Sequence, residues 1–159
     1  MGSTTWKPPP TGWWKVNTEA AIAERHVGLG MIVRDNIGDV LMSGGKKLDV
    51  AIQVLEEEVR ATLFGLRYAY DAGFRQVELE TDCLNLVTLL TKKSNENSTS
   101  QMVVKDIFVV VNLFEACIFK FPKRLCNMTT YSLAKDSLMF DEVLIWMEEC
   151  PHRHCSYCR

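Results

Sequence analysis

Cysteine and histidine crowd the end of the chain, in the run Cys150-Pro151-His152-Arg153-His154-Cys155-Ser156-Tyr157-Cys158-Arg159. Cys155 and Cys158 have the two-residue gap of a zinc chelate. Structural zinc sites draw their second ligand pair from a separate knuckle, so the run reads as a frayed, metal-sticky tail rather than a zinc site. Asp82 falls between a short alternating stretch and a helical one, where an isolated Thr-Asp pair serves as a helix N-cap. Trp13 and Trp14 offer a base-stacking face, although strand alternation turns one of them into the core. The densest local cations are Lys120, Lys123 and Arg124, joined by Lys92 and Lys93. They read equally well as a phosphate-binding patch and as an ordinary solvated face. No P-loop, dinucleotide fingerprint or nucleophile elbow occurs.

The elements that must position such groups belong to a chain of 159 residues, about one domain. Apolar residues make up 47% and charged residues 24%, which excludes disorder over the whole chain, a collagen-like fibre and low complexity. No apolar run is long enough to span a membrane, so no membrane association is expected. The formal net charge of −2 excludes retention on nucleic acid by bulk positive charge. Contact with nucleic acid then needs a local basic patch, or metal ions bridging carboxylates to phosphates. The opening residues lack a signal-peptide pattern. Met1-Gly2 opens like a myristoylation site, but Trp6 stands where Ser or Thr is required. Cys83, Cys117 and Cys126 lie in apolar stretches and read as reduced core thiols. An intracellular protein is expected, with nucleus and cytoplasm equally open. The glycosylation tripeptides at Asn97 and Asn127 are then chance matches.

Residues 1–11 form a proline-rich lead-in, ending its Pro8-Pro9-Pro10 run in extended backbone. Strand-like patterns follow at 13–17, 27–33 and 39–43, the last free to run on past Gly44-Gly45 towards Leu48. Asp35, Asn36 and Gly38 supply the turn between the second and third. Over 51–72 the period changes: Ile52, Leu55, Val59, Leu63, Leu66 and Ala69 recur every three to four residues, as on a helix ending before Gly73. A strand at 76–80 leads to a helix capped by Thr81 or Asp82. Residues 94–100 are a polar loop. A third helix is expected over 101–114, a fifth strand over 116–121, a fourth helix over 128–139 and a fifth over 141–149. The domain proper is taken as 12–140, with a C-terminal helix and the Cys/His tail over 141–159.

Four blocks in this order resemble the ribonuclease H type 1 fold, and more narrowly the plant, retroelement-related, reverse-transcriptase-like RNase H domains. The first block is Trp6-Lys7-Pro8-Pro9-Pro10-Thr11-Gly12-Trp13-Trp14-Lys15-Val16-Asn17. The second is Gly28-x-Gly30-x-Ile32-x-Arg34-Asp35-x-x-Gly38. Glu58, Ala61, Gly65-Leu66 and Ala69 open the third, which continues through Gly73-Phe74-Arg75-Gln76-Val77 to Glu80-Thr81-Asp82. Asn127 and Leu133-Ala134-Lys135 close the series. The resemblance covers about residues 6–140. It implies an α/β fold with a mixed five-stranded sheet, three antiparallel strands first, and helices on both faces.

The resemblance also implies metal-dependent hydrolysis of RNA in RNA–DNA hybrids, with two Mg²⁺ roughly 3.5–4 Å apart clamping the scissile phosphate. Four carboxylates hold such ions. Glu19 falls on the first, where the family has Asp, and Ala20 falls on the following glycine. The added methylene misplaces a ligand for a metal that demands near-ideal octahedral geometry, and Ala20 restricts close backbone approach to substrate. Glu58 and Asp82 fall on the second and third, with Glu56 and Glu57 solvated. Tyr131 stands at the fourth, where a phenol with pKa near 10 is a poor Mg²⁺ ligand. Asp136 is no substitute, being about 140° round the helix from Tyr131. Phe121 occupies the position of the family's frequent histidine. The expected catalytic and metal-binding residues are therefore Glu19, Glu58 and Asp82. Lys120, Lys123, Arg124 and Asn127 are the expected nucleic-acid contacts, and Mg²⁺ or Mn²⁺ is expected to bind weakly. The expected partner is an RNA–DNA hybrid. The reading is a degenerate RNase H-like domain with weakened or lost cleavage, or else a pseudoenzyme kept as a protein- or nucleic-acid-interaction module.

Overall fold

The computed structural model describes residues 6–49, 54–91, 99–121 and 127–150. Its strands are β1 (Trp14–Ala23), β2 (His26–Arg34), β3 (Val40–Leu48), β4 (Gln76–Glu80), β5 (Ala116–Lys120) and β6 (Leu144–Met147). Its helices are α1 (Val54–Asp71), α2 (Leu84–Thr91), α3 (Thr99–Val111) and α4 (Met128–Ser137). The strands make one sheet in the order β5-β4-β1-β2-β3-β6. β1, β2 and β3 form the expected antiparallel meander, and β4 and β5 add in parallel beyond β1.

Two expectations need correction. The sheet has six strands rather than five, and the helix expected over 141–149 is instead the edge strand β6, antiparallel to β3. Leu144-Ile145-Trp146-Met147 is too short an apolar run to display a period of its own. The open edge of β3 supplies the hydrogen-bonding partners that decide its state. At α2, Leu84 is the first helical residue. Thr81 Oγ1 accepts from the Cys83 N–H at 3.3 Å, so the threonine braces this junction. Asp82 is left to point its carboxyl elsewhere.

Side chains alternate across the sheet, and the two faces are covered differently. Val16, Leu29, Met31, Val33, Val77 and Leu79 share the larger core with α1, which packs in turn against α3. Trp14 joins this core with its ring 5.3 Å from that of Phe74. A smaller cluster of Ile32, Leu133 and Cys150, with Phe140 and Trp146, lies on the opposite face beneath α4.

Missing side chains set how closely the helices approach. A Cβ on Gly65 of α1 would lie 2.5 Å from Thr18 Cγ2 and 3.3 Å from Val16 Cγ1, so the helix rides directly on β1. Ala61 and Ala69, both fully buried, continue that narrow face. On the other side a Cβ on Gly30 would lie 2.7 Å from both Ala134 N and Thr130 O, and one on Gly28 would strike Ala134 O. The Gly28-x-Gly30 pair thus lets the backbone of α4 rest on β2. Gly30→Ala must push that backbone away, since no flexible side chain is there to yield. Urea unfolding should show a loss of about 2–3 kcal/mol; an unchanged midpoint would show that α4 is not seated against β2.

Candidate metal centre

Glu19 stands on β1 opposite Gly30 of β2. In the parallel pairing Asn17 faces Glu80, so the chain leaving β4 through Thr81 and Asp82 runs alongside Thr18 and Glu19. Glu58 arrives from the first turns of α1, carried by the close packing at Gly65. Together these elements bring one carboxylate oxygen of each of Glu19, Glu58 and Asp82 within 4.8 Å of one another.

No cation offsets this charge among the described residues, where no Lys, Arg or His makes an ion pair with any of the three. The acids farther along β4 differ sharply. Glu80 and Glu78 share the buried ammonium of Lys15, which lies 3.4 Å from Glu78, and Lys120 reaches Glu78 at 3.2 Å. Burial, a hydrogen bond shared with Asp82 and the charges of Glu58 and Asp82 push the Glu19 carboxyl up to about 10, against a smaller lowering by Asn127. Burial and the charges of Asp82 and Glu57 push Glu58 up to about 8, against a hydrogen bond with Thr81. Glu58 Oε2 is buried without a hydrogen-bond partner. An all-oxygen set with one orphaned acceptor and no organic cation suits a hard divalent ion.

The remaining expected residues are placed differently. Tyr131 is half-buried on α4, with the Lys135 ammonium 5.9 Å from its ring centre. The Lys120 ammonium is half-exposed and tied to Glu78. Lys123 and Arg124 lie outside the described residues, as do Lys92, Lys93 and the Cys/His tail from Pro151 onward. Asn127 is buried, 1% exposed, and donates from Nδ2 to Glu19 Oε1 at 2.7 Å and to the Thr18 carbonyl at 3.2 Å. Sequence reasoning assigned it to nucleic acid; the structure sets it against the first carboxylate. Asn17 and Trp6 went unassigned despite standing in the first block, and both join Asn127 in one hydrogen-bonded chain. Their only sequence signal was membership of that block. Cys117 is half-buried in β5, and burial pushes its thiol up to about 12, as suits a reduced structural cysteine.

A six-stranded mixed sheet flanked in this way, with acids gathered where β1 meets the end of β4, is an RNase H-like fold. The chain superposes on RNase H1 from the halophilic archaeon Halobacterium salinarum NRC-1 with a TM-score of 0.73, at 19% identity, over 79% of this chain and 97% of that one. LC11-RNase H1, in complex with an RNA/DNA hybrid, gives 0.70 at 14% identity over 79% and 96%. The foamy viral protease-reverse transcriptase, also with an RNA/DNA hybrid, gives 0.62 at 15% identity over 80% of this chain and 20% of that one. The chain belongs to the reverse transcriptase-like family, whose profile matches residues 17–137. No curated protein matches it in sequence. Among the described residues no helix is long and apolar enough to cross a membrane.

The elevated carboxyls set a pH dependence. A carboxyl whose folded pKa lies above its ordinary value of 4.5 holds its proton more tightly when folded. The contribution of these two groups to stability is therefore fully present below about pH 4.5, and is lost as pH rises through the window up to about 8 for Glu58 and about 10 for Glu19. Glu19→Gln keeps an acceptor for Asn127 and a donor for Asp82 but carries no charge. At pH 8 without metal it should stabilise the protein by about 1–2 kcal/mol, raising Tm by roughly 3–6 °C, with little gain at pH 4.5. A gain that does not grow with pH would show that burial and crowding of the Glu19 charge are not the strain relieved.

Proposed function

We propose that this chain is a nucleic-acid-binding RNase H type 1-like domain with one weak divalent-cation site at Glu19, Glu58 and Asp82. The observation that carries the reading is the gathering of three carboxylates, from three separate elements, with no organic cation to balance them. Mg²⁺ or Mn²⁺ bound there would supply charge neutralisation and Lewis acidity at a phosphodiester. Glu19 and Asp82 would hold the ion from the sheet side and Glu58 from α1, with Asn127 keeping Glu19 in place. The solved relative LC11-RNase H1 holds an RNA/DNA hybrid, and the same substrate class is proposed here. Lys120, Lys123 and Arg124 are the proposed phosphate contacts.

Cleavage is proposed to be weak. Glu19 in place of the family's Asp displaces one ligand, Ala20 in place of glycine stiffens the strand backbone beside it, and Tyr131 offers no carboxylate. Displacements of this kind cost about 100-fold in rate. These same three residues favour a second reading, in which the fold persists as a non-catalytic module for binding nucleic acid or protein.

Calorimetry should show weak Mg²⁺ binding and tighter Mn²⁺ binding, because affinity for such oxygen sites is generally higher for Mn²⁺; two tight Mg²⁺ sites would overturn the single weak centre. Tyr131→Asp, Glu19→Asp and Ala20→Gly each restore one missing element of one cluster. Combined in a variant that melts cooperatively, they should raise RNA–DNA hybrid cleavage above the product of the single effects. A folded triple variant inactive with both metals would leave the interaction-module reading in its place.

A further inference from the structure

The amino-terminal segment ahead of β1 crosses the sheet face that carries Glu19. Pro9 is buried, and the Lys7 carbonyl accepts from the Lys15 ammonium. The Trp6 ring lies over two cations, with its centre 5.3 Å from Lys15 Nζ and 5.0 Å from Arg34 Cζ. Its indole N–H donates to Asn17 Oδ1 at 3.3 Å. Asn17 Nδ2 donates to Asn127 Oδ1 at 3.0 Å. Asn127 Nδ2 then donates to Glu19 Oε1 at 2.7 Å and to the Thr18 carbonyl at 3.2 Å.

The direction of this chain is forced at both ends. An indole N–H can only donate, and a backbone carbonyl can only accept. Both amide orientations follow, and Nδ2 of Asn127 must face Glu19. The two amides are almost wholly buried, at 0% and 1% exposure, so any broken link leaves a polar atom without water or partner. Asn127 also forgoes a local alternative. It occupies the N-cap of α4, where asparagine ordinarily caps the helix, yet its side chain makes no capping bond. A cap contributes about 1 kcal/mol, and here the amide is committed instead to the sheet and Glu19.

We infer that Trp6, Asn17 and Asn127 are positioning residues that hold the Glu19 carboxylate in ligating orientation, making the strap Trp6–Pro10 a working part of the site. The three consecutive prolines restrict the strap to extended backbone, so little conformational freedom is lost when it docks. The assignment rests on the proposed metal centre for its consequence, but the hydrogen-bonded chain stands without metal.

Trp6→Phe keeps an aromatic ring over Lys15 and Arg34 and removes only the donor. In the full chain it should weaken Mn²⁺ binding by about 3- to 10-fold, and Asn127→Ala by about 10- to 100-fold, the range for outer partners of metal ligands. The Asn127 side-chain amide resonances of metal-free Trp6→Phe should also move, because Asn17 loses its acceptor load. Unmoved amide resonances overturn the chain, whatever happens to affinity. Moved resonances with unchanged Mn²⁺ affinity overturn the positioning role. If the wild-type protein binds no Mn²⁺, the metal-centre reading fails by itself. The Glu19 carboxyl carbon resonance then replaces affinity as the readout, its movement in Trp6→Phe supporting the inference and its constancy overturning it.

Discussion

Three carboxyl groups whose nearest oxygens lie within 4.8 Å of one another, largely out of water, repel strongly in the ionised state. Beyond the hydrogen bond between Glu19 and Asp82, nothing in their own chemistry keeps them together. The protein does so by backbone packing: α1 rides on β1 at Gly65, and α4 rides on β2 at Gly28 and Gly30. The parallel pairing of β1 with β4 brings the chain at Asp82 alongside Glu19. Burial first, and this repulsion after it, raise the Glu19 and Glu58 carboxyls, and a bound dication would relieve both costs.

The buried acids of β4 are treated differently. Glu78 and Glu80 stand on the same strand that delivers Asp82, and Lys15 and Lys120 balance them. Buried acids with fixed organic counter-charges serve the sheet. Glu19, Glu58 and Asp82 have no such counter-charge among the described residues and could hold a metal ion. Lys15 links these two zones, because the same ammonium that bridges Glu78 and Glu80 also donates to the Lys7 carbonyl and lies against the Trp6 ring.

The scaffold does not depend on the acids it presents. Its stability comes from the two cores and from the close seating of α1 at Gly65 and of α4 at Gly28 and Gly30, none of which requires ionised carboxylates.

Much of this was legible in the residues alone. Alternation marked β1, β2 and β4, the three-to-four spacing from Val59 to Ala69 marked α1, and Gly73 marked its end. The blocks carrying Glu19, Glu58 and Asp82 gave the three acids of the cluster. What local pattern could not determine was which state a short apolar run adopts, and which distant polar groups meet. Leu144–Met147 became a strand because the edge of β3 was open to it, a fact about a neighbour about 100 residues earlier in the chain. Asn127 turned from its own helix to Glu19, 108 positions away, and Trp6 reached Asn17 only because the strap folds back across the sheet. Periodicity records the face a residue shows to the core; hydrogen-bond partners and counter-charges depend on the packing of separate elements, and only the tertiary structure decides them.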